Sequence, residues 1–329
     1  IERAQEYIRR GSNANAMRIL KQGLEKWEDE GLTKLYESVS YEHSFLTTVY
    51  TKMSMPFSNW YIPVWDGEHW GYVGAGGRMN LAFVYEEATP FSGSYAVVKI
   101  DGVYTLIDRN GYWNAVDKNG LDGVEALAGT RIVGVKDGKY GIYSNTFQLL
   151  SSEVYENVCL SDNGMIMVQK EGRWALLNSK LEAVTEYQFT DVAVNSKGQA
   201  FSGGYAVVAD ERGYYLIRPD GEACFENRFT AAKGTEGGLF AIQDASGKWG
   251  FADGEGKIVV ECQYEDANSF SDRLAAVEYA GKWGYINKYG EMMIEPLYEK
   301  AYPFLEGNAL AVDEKGRYRI ITLKNYSLF

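Results

Sequence analysis

The sequence predicts a mainly β protein built from tandem repeats, with a small α-helical piece at the N-terminus. Three observations lead to this prediction. The strings Gly-Lys-Trp-Gly-Phe-Ala at 247–252 and Gly-Lys-Trp-Gly-Tyr-Ile at 281–286 are nearly identical. The 329 residues include 36 Gly and 25 Tyr but 6 Pro, which suits many short strands joined by tight turns. The first 45 residues instead space their apolar side chains as helices do.

Residues 1–45 are predicted to form a helical domain. Apolar residues recur at three- and four-residue intervals on both sides of Gly11, which indicates two short amphipathic helices, and a third is expected at about 32–38. The pattern resembles a tetratricopeptide hairpin at Ala4, Tyr7, Ile8, Gly11, Ala16, Leu20 and Gly23. Such a hairpin cannot bury its face alone. We therefore expect either further repeats upstream in a longer protein or packing against the β region.

Eight aromatic anchors, spaced 34 to 40 residues apart, define the repeat. They are Trp70, Tyr104, Tyr140, Trp174, Tyr214, Trp249, Trp283 and Tyr318. Other columns hold the same register: Phe thirteen residues before the anchor in four units, Gly seven after it in five, and an aromatic fifteen after it in six. Self-similarity at a fixed period is the mark of a repeat architecture.

Each unit is predicted to be a three-stranded meander of about 35 residues followed by a connector. In the clearest unit, strands are expected on both sides of the turn at Ala280-Gly281, and a third strand at 292–295 should end at Pro296. The anchor is expected to be buried, and the Gly after it should leave room for a neighbouring unit. Units 2, 4, 5 and 8 lack that Gly, so they are expected to pack less regularly.

The string Gly-Lys-Trp-Gly-Tyr-Ile-Asn-x-x-Gly-x-x-x-Ile-x-Pro-x-Tyr at 281–298 resembles the bacterial WG repeat, also called KWG. The resemblance covers about residues 50–329. It implies a β repeat array, often joined to helical or envelope-anchoring segments, with no catalytic residues. Residues 46–329 are accordingly predicted to form one WG-repeat domain, in an extracytoplasmic or envelope-associated bacterial protein.

Such units either close into a β-propeller-like ring or stack as an open β-solenoid. The last unit ends eleven residues after Tyr318, whereas the stretch 49–57 resembles 297–304. The N-terminal part thus carries what the last unit lacks, which favours the ring. Residues near 46–57 are predicted to complete the last unit, and the open solenoid is the alternative.

Composition and motifs argue against several functions. The net charge of −12 disfavours nucleic acid, and no apolar run is long enough for direct membrane insertion. His43 and His69 lack the spacing of a metal site, and Gly247-Lys248 lacks the remainder of a phosphate loop. Leu121 stands at a ligand position of the calcium-like string 117–123. We expect no catalytic residue, no metal and no cofactor.

Four aromatic residues outside the anchor column are candidates for surface binding: Trp60, Tyr61, Trp65 and Trp113. Packing against the helical piece is the alternative role for Trp60. The favoured function is a non-catalytic scaffold that binds a protein or peptide partner. A carbohydrate- or cell-wall-binding module is the alternative, which an exposed tryptophan platform would support. A glycan-active enzyme is the third hypothesis and needs two carboxyl groups about 5–10 Å apart in a cleft.

Overall fold

A computed structural model of the chain describes residues 1–48, 50, 52–53, 61–74, 76–151, 154–235 and 238–328. In this part of the chain, three helices precede eight β-sheets, which we call blades. The helices are α1 (Glu2–Arg9), α2 (Asn13–Leu24) and α3 (Glu30–Ser40), and a 3-10 turn (Tyr326–Leu328) lies near the C-terminus. The side chain of Asp29 accepts a hydrogen bond from the Leu32 N–H and so caps α3. The helices share a small apolar core of their own.

The strands follow the repeat. Strand β1 (His43–Thr47) comes directly after the helices and belongs to the last blade. Blade 1 contains β2 (Lys52–Met53), β3 (Ile62–Trp65), β4 (Trp70–Val73) and β5 (Met79–Tyr85), and blade 2 contains β6 (Glu87–Ala88), β7 (Tyr95–Ile100), β8 (Val103–Asp108) and β9 (Trp113–Val116). Blade 3 contains β10 (Gly123–Ala128), β11 (Arg131–Lys136) and β12 (Lys139–Ser144), and blade 4 contains β13 (Asn157–Cys159), β14 (Ile166–Lys170) and β15 (Arg173–Leu177). Blade 5 contains β16 (Asp191–Ala193), β17 (Phe201–Ser202), β18 (Tyr205–Asp210) and β19 (Gly213–Ile217), and blade 6 contains β20 (Ala231–Ala232), β21 (Phe240–Gln243), β22 (Trp249–Ala252) and β23 (Ile258–Tyr264). Blade 7 contains β24 (Asp266–Ala267), β25 (Ala275–Tyr279), β26 (Lys282–Ile286) and β27 (Met292–Tyr298), and blade 8 contains β28 (Lys300–Ala301), β29 (Asn308–Val312) and β30 (Tyr318–Leu323) together with β1.

A regular blade has four antiparallel strands rather than the predicted three. The predicted connector holds a short strand, β28, which begins the next blade. The third strand of the meander also does not end at Pro296, because β27 runs on to Tyr298. The pairing of β26 with β27 shifts register at this point, so Pro296 lies in a bulge of the outer strand, where no ladder N–H is needed. The turn at Ala280 and Gly281 has φ values of 52° and 73°, as the two-residue hairpin predicts.

The anchor column has a specific partner. The anchor pairs across the sheet with the aromatic fifteen residues later, for example Trp283 with Tyr298. In blades 3, 4 and 5 the outer strand shrinks to isolated bridges, yet this pair persists as Tyr140 with Tyr155 and Trp174 with Phe189. The prediction of irregular units is wrong for units 2, 3 and 8, because β9 and β1 are regular outer strands and unit 3 has none.

Packing between blades depends on the residue two positions after the anchor. Tyr285 of blade 7 is fully buried, and its ring lies 4.8 Å from that of Phe304 in blade 8. The Gly after the anchor has a different role from the one predicted. A Cβ on Gly284 would lie 2.6 Å from the Ile294 carbonyl oxygen, so this Gly admits the outer strand of its own blade.

Apolar clusters join each blade to the next around the whole molecule. The last junction joins Leu305, Leu310 and Ile320 of blade 8 to Ile62 and Val64 of blade 1. The blades therefore form a closed eight-bladed β-propeller. The predicted ring is confirmed, and the open solenoid is wrong.

The N-terminal part of the chain closes the ring, as predicted, but with a different segment. Strand β1 pairs antiparallel with β30, from His43 opposite Leu323 to Thr47 opposite Arg319. The predicted stretch 46–57 overlaps β1 at its end, whereas 52–53 begins blade 1 and 54–60 lie outside the described residues. The reason is that the matching stretch 297–304 itself spans a junction between blades. Strand β1 starts three residues before the predicted domain boundary, and the division into two domains stays a prediction.

Candidate functional site

A groove separates the helices from blade 7, and we call it the helix–ring groove. Its outer section has a volume of about 640 Å3 and its inner section about 570 Å3. Leu24, Thr33, Glu37 and Tyr289 line both sections. These volumes fall in the range of sites that hold small ligands or short peptide segments.

Two exposed aromatic rings flank the outer section. Trp27 lies in the turn that joins α2 to α3, and 62% of its surface is exposed. Tyr289 lies in the turn from β26 to β27 and is 54% exposed. That turn depends on Gly290, whose φ is +81°. Large rings that remain in water beside a concave surface are typical anchors for a binding partner.

A pair of carboxylates meets in the same section. The side chain of Asn287 is fully buried, and its Nδ2 donates to Oε2 of Glu291 at 2.8 Å and to Oε2 of Glu37. Its Oδ1 accepts from the N–H groups of Tyr289 and Glu291, both at 3.0 Å, which fixes the amide orientation. Helix α3 and blade 7 therefore hold two like charges at one point. Burial raises the pKa of the Glu37 carboxyl, and hydrogen bonding to Asn287 and the charge of Lys288 oppose that shift.

The outer section is strongly acidic. Its lining carries Glu28, Asp29, Glu30, Glu37 and Glu291 against a single cation, Lys34. The Lys34 ammonium lies 2.6 Å from a Glu30 oxygen, so that charge is already paired. The inner section is balanced in charge, because Arg273 and Lys288 lie there with Asp272 and Glu37.

The structure separates the aromatic residues predicted as a binding surface. Trp60 lies outside the described residues. Tyr61 is half-buried, donates to the Arg109 carbonyl at 3.1 Å and packs 4.8 Å from the Phe91 ring. Trp65 is half-buried and lies 5.8 Å from Trp70, so both residues take part in packing. Trp113 is 60% exposed on the outer strand of blade 2, so the described members of the set form no common platform.

Sequence reasoning missed the residues of the helix–ring groove. One signal was present: Trp27 stands between Lys26 and Glu28 in a polar turn, where a buried anchor is not expected. Tyr289 precedes Gly290 in a turn sequence, which by itself gives no sign of a binding role. Glu37 and Glu291 are 254 positions apart, and no spacing rule connects them.

Two further cavities, of about 590 and 370 Å3, lie at the first strands of the blades and the loops after them. One draws its lining from blades 2 to 5 and the other from blades 5 to 8, which places both around the ring axis. Among the described residues, no group of three or more His, Cys, Asp or Glu side chains is arranged to hold a metal ion. None of the helices in the described ranges has the length and apolar character needed to cross a membrane.

The sequence model of the WG containing repeat matches residues 70–104, 249–283 and 283–318. Each match runs from one anchor to the next, in the register that the cross-strand aromatic pairs define. The chain carries WG repeats. A search of the curated proteins gives no match to it. The tetratricopeptide-like character of the helices stays a prediction.

Among solved structures, this WG-repeat protein is similar to BamB from Moraxella catarrhalis, with a TM-score of 0.55 and 12% identity over 85% of this chain and 98% of that one. Hsv2 from Kluyvelomyces marxianus gives a TM-score of 0.48 and 12% identity over 82% and 96% of the two chains. Hsv2p from Kluyveromyces lactis gives 0.44 and 12% over 67% and 86%. At this identity the likeness to BamB concerns the fold alone.

Proposed function

We propose that this WG-repeat protein is a non-catalytic scaffold that binds a protein or peptide partner in the helix–ring groove. The observation that carries the proposal is the pair of exposed rings, Trp27 and Tyr289, on opposite walls of one concave surface. A ring of packed blades supplies a rigid wall, and the helices supply the second wall. Association with a bacterial envelope is part of the proposal and rests on the family resemblance.

Site-specific photo-crosslinking in the source organism tests this proposal. A p-benzoylphenylalanine side chain at position 27 or 289 should give an adduct of one defined mass, whereas the same group at Glu314 should not. The partner identified in that adduct should lose about tenfold or more in affinity for the purified Trp27→Ala or Tyr289→Ala protein, because hot-spot aromatics carry most of the binding energy. Identical adducts from all three positions, or unchanged affinity in both variants, would contradict the proposal.

A glycan-active enzyme deserves comparison, because Glu37 and Glu291 are two carboxyl groups in a cleft. Hydrolysis of a glycosidic bond requires that bond to lie between the two carboxyl groups. Here both carboxylates converge on the same amide nitrogen of Asn287, which occupies the space between them. This arrangement favours binding over hydrolysis.

A carbohydrate-binding module is the second candidate function. It is favoured by Tyr112 and Trp113, consecutive residues at the edge of blade 2 that are 71% and 60% exposed. Titration with chitooligosaccharides tests it: a glycan module should bind them and lose that binding in Trp113→Ala. A protein scaffold should show no saturable binding.

A further inference from the structure

We infer that the occupant of the helix–ring groove is a peptide segment that presents a lysine or arginine side chain to Glu37 and Glu291. The inference rests on the proposed function and specifies the chemistry of the partner. It follows from three features of the outer section: its unpaired carboxylates, its charge and its aromatic walls.

The carboxylate pair has no cation of its own within the described ranges. No ion pair within 4.0 Å joins Glu37 or Glu291 to a basic side chain there. Lys34 pairs with Glu30, and the charges of Lys288 and Arg273 act on Glu37 without forming such a pair. Asn287 satisfies one oxygen of each carboxylate with an uncharged N–H. Two like charges held close together on a partly buried wall repel each other, and a cation that contacts their remaining oxygens on the groove side reduces that repulsion.

The aromatic rings indicate which kind of cation fits. Ammonium and guanidinium groups are attracted to the faces of Trp and Tyr, while their methylene stems cover apolar surface. Trp27 and Tyr289 supply such rings beside the carboxylates. Both rings already attract ammonium groups of this chain, because Lys26 Nζ lies 6.0 Å from the Trp27 ring centroid and Lys288 Nζ lies 4.9 Å from the Tyr289 ring centroid. A calcium ion instead takes six to eight oxygen ligands, and the described residues offer no cluster of that size. An organic cation therefore suits this section better than a metal ion.

Charge complementarity makes the partner a peptide with a basic side chain rather than an acidic one. Five acidic residues against one paired lysine in the outer section would repel an acidic segment. The inner section, where Arg273 and Lys288 balance Asp272 and Glu37, offers no excess of negative charge to attract a second cation. We therefore expect recognition of one basic side chain at the outer section, and not a general affinity for polybasic chains.

Two pooled libraries of acetylated, amidated octapeptides test this inference on the full chain. One library has lysine fixed at its fifth position, and the other has Nε-acetyl-lysine there. The wild-type protein should retain the lysine library about tenfold or more over the acetyl-lysine library, as expected for a charge-assisted contact. The preference should disappear in Glu37→Gln/Glu291→Gln and persist in Glu255→Gln/Glu314→Gln, which removes the same charge elsewhere.

The outcomes separate the inference from the proposed function. If both libraries are retained equally, and neither is retained by Trp27→Leu/Tyr289→Leu, the groove binds a peptide but the inference of a cationic side chain is wrong. Retention of neither library would contradict both proposals. A lysine preference that is unchanged in Glu37→Gln/Glu291→Gln would overturn the inference by placing the contact elsewhere. Trp27→Leu, at a side chain that is 62% exposed, and thermal unfolding of every variant guard against loss of binding through misfolding.

Discussion

A five-residue turn with Gly fourth explains the Gly column of the repeat, and in three of its five units an Asp or Asn stands first. In the turn that starts at Asp253, the carboxylate Oδ1 accepts from the N–H groups of Glu255 and Lys257, both at 3.0 Å. Gly256 then takes a φ of +77°, a region that side chains with a Cβ rarely adopt. The column therefore marks a backbone requirement.

Two glycines of blade 6 allow the backbone and steric requirements to be separated. Gly247 and Gly256 occupy the same position in two such turns, with φ of +82° and +77°. A Cβ on Gly247 would meet nothing within 4 Å, whereas one on Gly256 would lie 2.7 Å from the Phe225 ring. Urea unfolding should show a loss of about 1 kcal/mol for Gly247→Ala from the left-handed backbone alone. Gly256→Ala should lower the free energy of unfolding by about 1–3 kcal/mol more than Gly247→Ala, because its Cβ overpacks the Phe225 ring. Equal losses in the two variants would show that the Phe225 ring moves aside freely.

The Gly column also contains turns that the sequence alone does not predict. Units 3 and 4 carry Phe147 and Leu181 in place of Gly, which suggests from sequence that the turn is absent. Both residues nevertheless adopt positive φ, 59° and 67°. Phe147 is buried in the core between blades 2 and 3, which offsets backbone strain. A single sequence shows the missing Gly but not the packing that replaces it.

In blade 5, hydrogen bonds from one side chain replace those of a regular outer strand. Its outer segment lacks a regular ladder, and Nη1 of Arg228 donates to the carbonyls of Phe225, Glu226 and Asn227 at 3.0–3.3 Å. The guanidinium also stacks 3.5 Å from the Tyr215 ring centroid and contacts Asp210 at 2.9 Å. This one arginine therefore holds an irregular segment against the sheet. Periodicity indicates strands, so it could not predict this arrangement.

The Arg228 contact should make the stability of blade 5 depend on pH. Burial alone would raise the pKa of Asp210, but hydrogen bonds from Arg228 and Arg212 lower it from 3.8 to about 2. A lowered pKa stabilises the fold above the ordinary value and loses that effect as pH falls through the folded value. Asp210→Asn should therefore lower the free energy of unfolding by about 1 kcal/mol at pH 7, less than the full shift implies because solvent screens the pair.

Denaturant unfolding between pH 2.5 and 7 measures this difference, with Glu255→Gln as a control that removes a charge at an exposed turn. The gap between wild type and Asp210→Asn should narrow as the pH falls below about 4. A gap that is constant with pH would mean that the loss comes from packing and not from the charge.

At the scale of the whole molecule, closure could be predicted from the sequence and the groove could not. The sequence indicates closure of the ring directly, because the stretch at 49–57 repeats a junction between two blades. The groove depends on where the helices dock, through contacts such as Asn325 Nδ2 to the Val39 carbonyl at 3.3 Å. Hydrophobic periodicity predicts helices but not the face of the ring on which they lie.

The closing strand offers a test of the ring itself. Thr48 donates to the Tyr318 carbonyl and Lys324 to the Glu42 carbonyl, so by alternation the Leu46 N–H faces β30 and the Thr47 N–H faces away. Leu46→Pro should cost about 1–3 kcal/mol, because the Ile320 carbonyl loses its donor. Thr47→Pro should cost clearly less, and Leu46→Ala measures the loss of the side chain.

Thermal unfolding and light scattering record the result. An opened β30 edge in Leu46→Pro should also promote self-association, since unpaired edges pair with other chains. Equal effects of the two proline variants, without association, would show that β1 contributes little to closing the ring.

Closure by β1 also means that the closing strand is synthesised well before the strand with which it pairs. Leu46 and its partner Ile320 are separated by 274 positions. At about 5–20 residues per second, β1 leaves the ribosome about 14–55 s before its partner does. Throughout that interval blades 1 to 7 can form in succession, while the closing strand remains unpaired beside its helices. Premature capture of β1 by another nascent chain would therefore be the main hazard of biogenesis, and the rate of translation through the last blade becomes a determinant of yield.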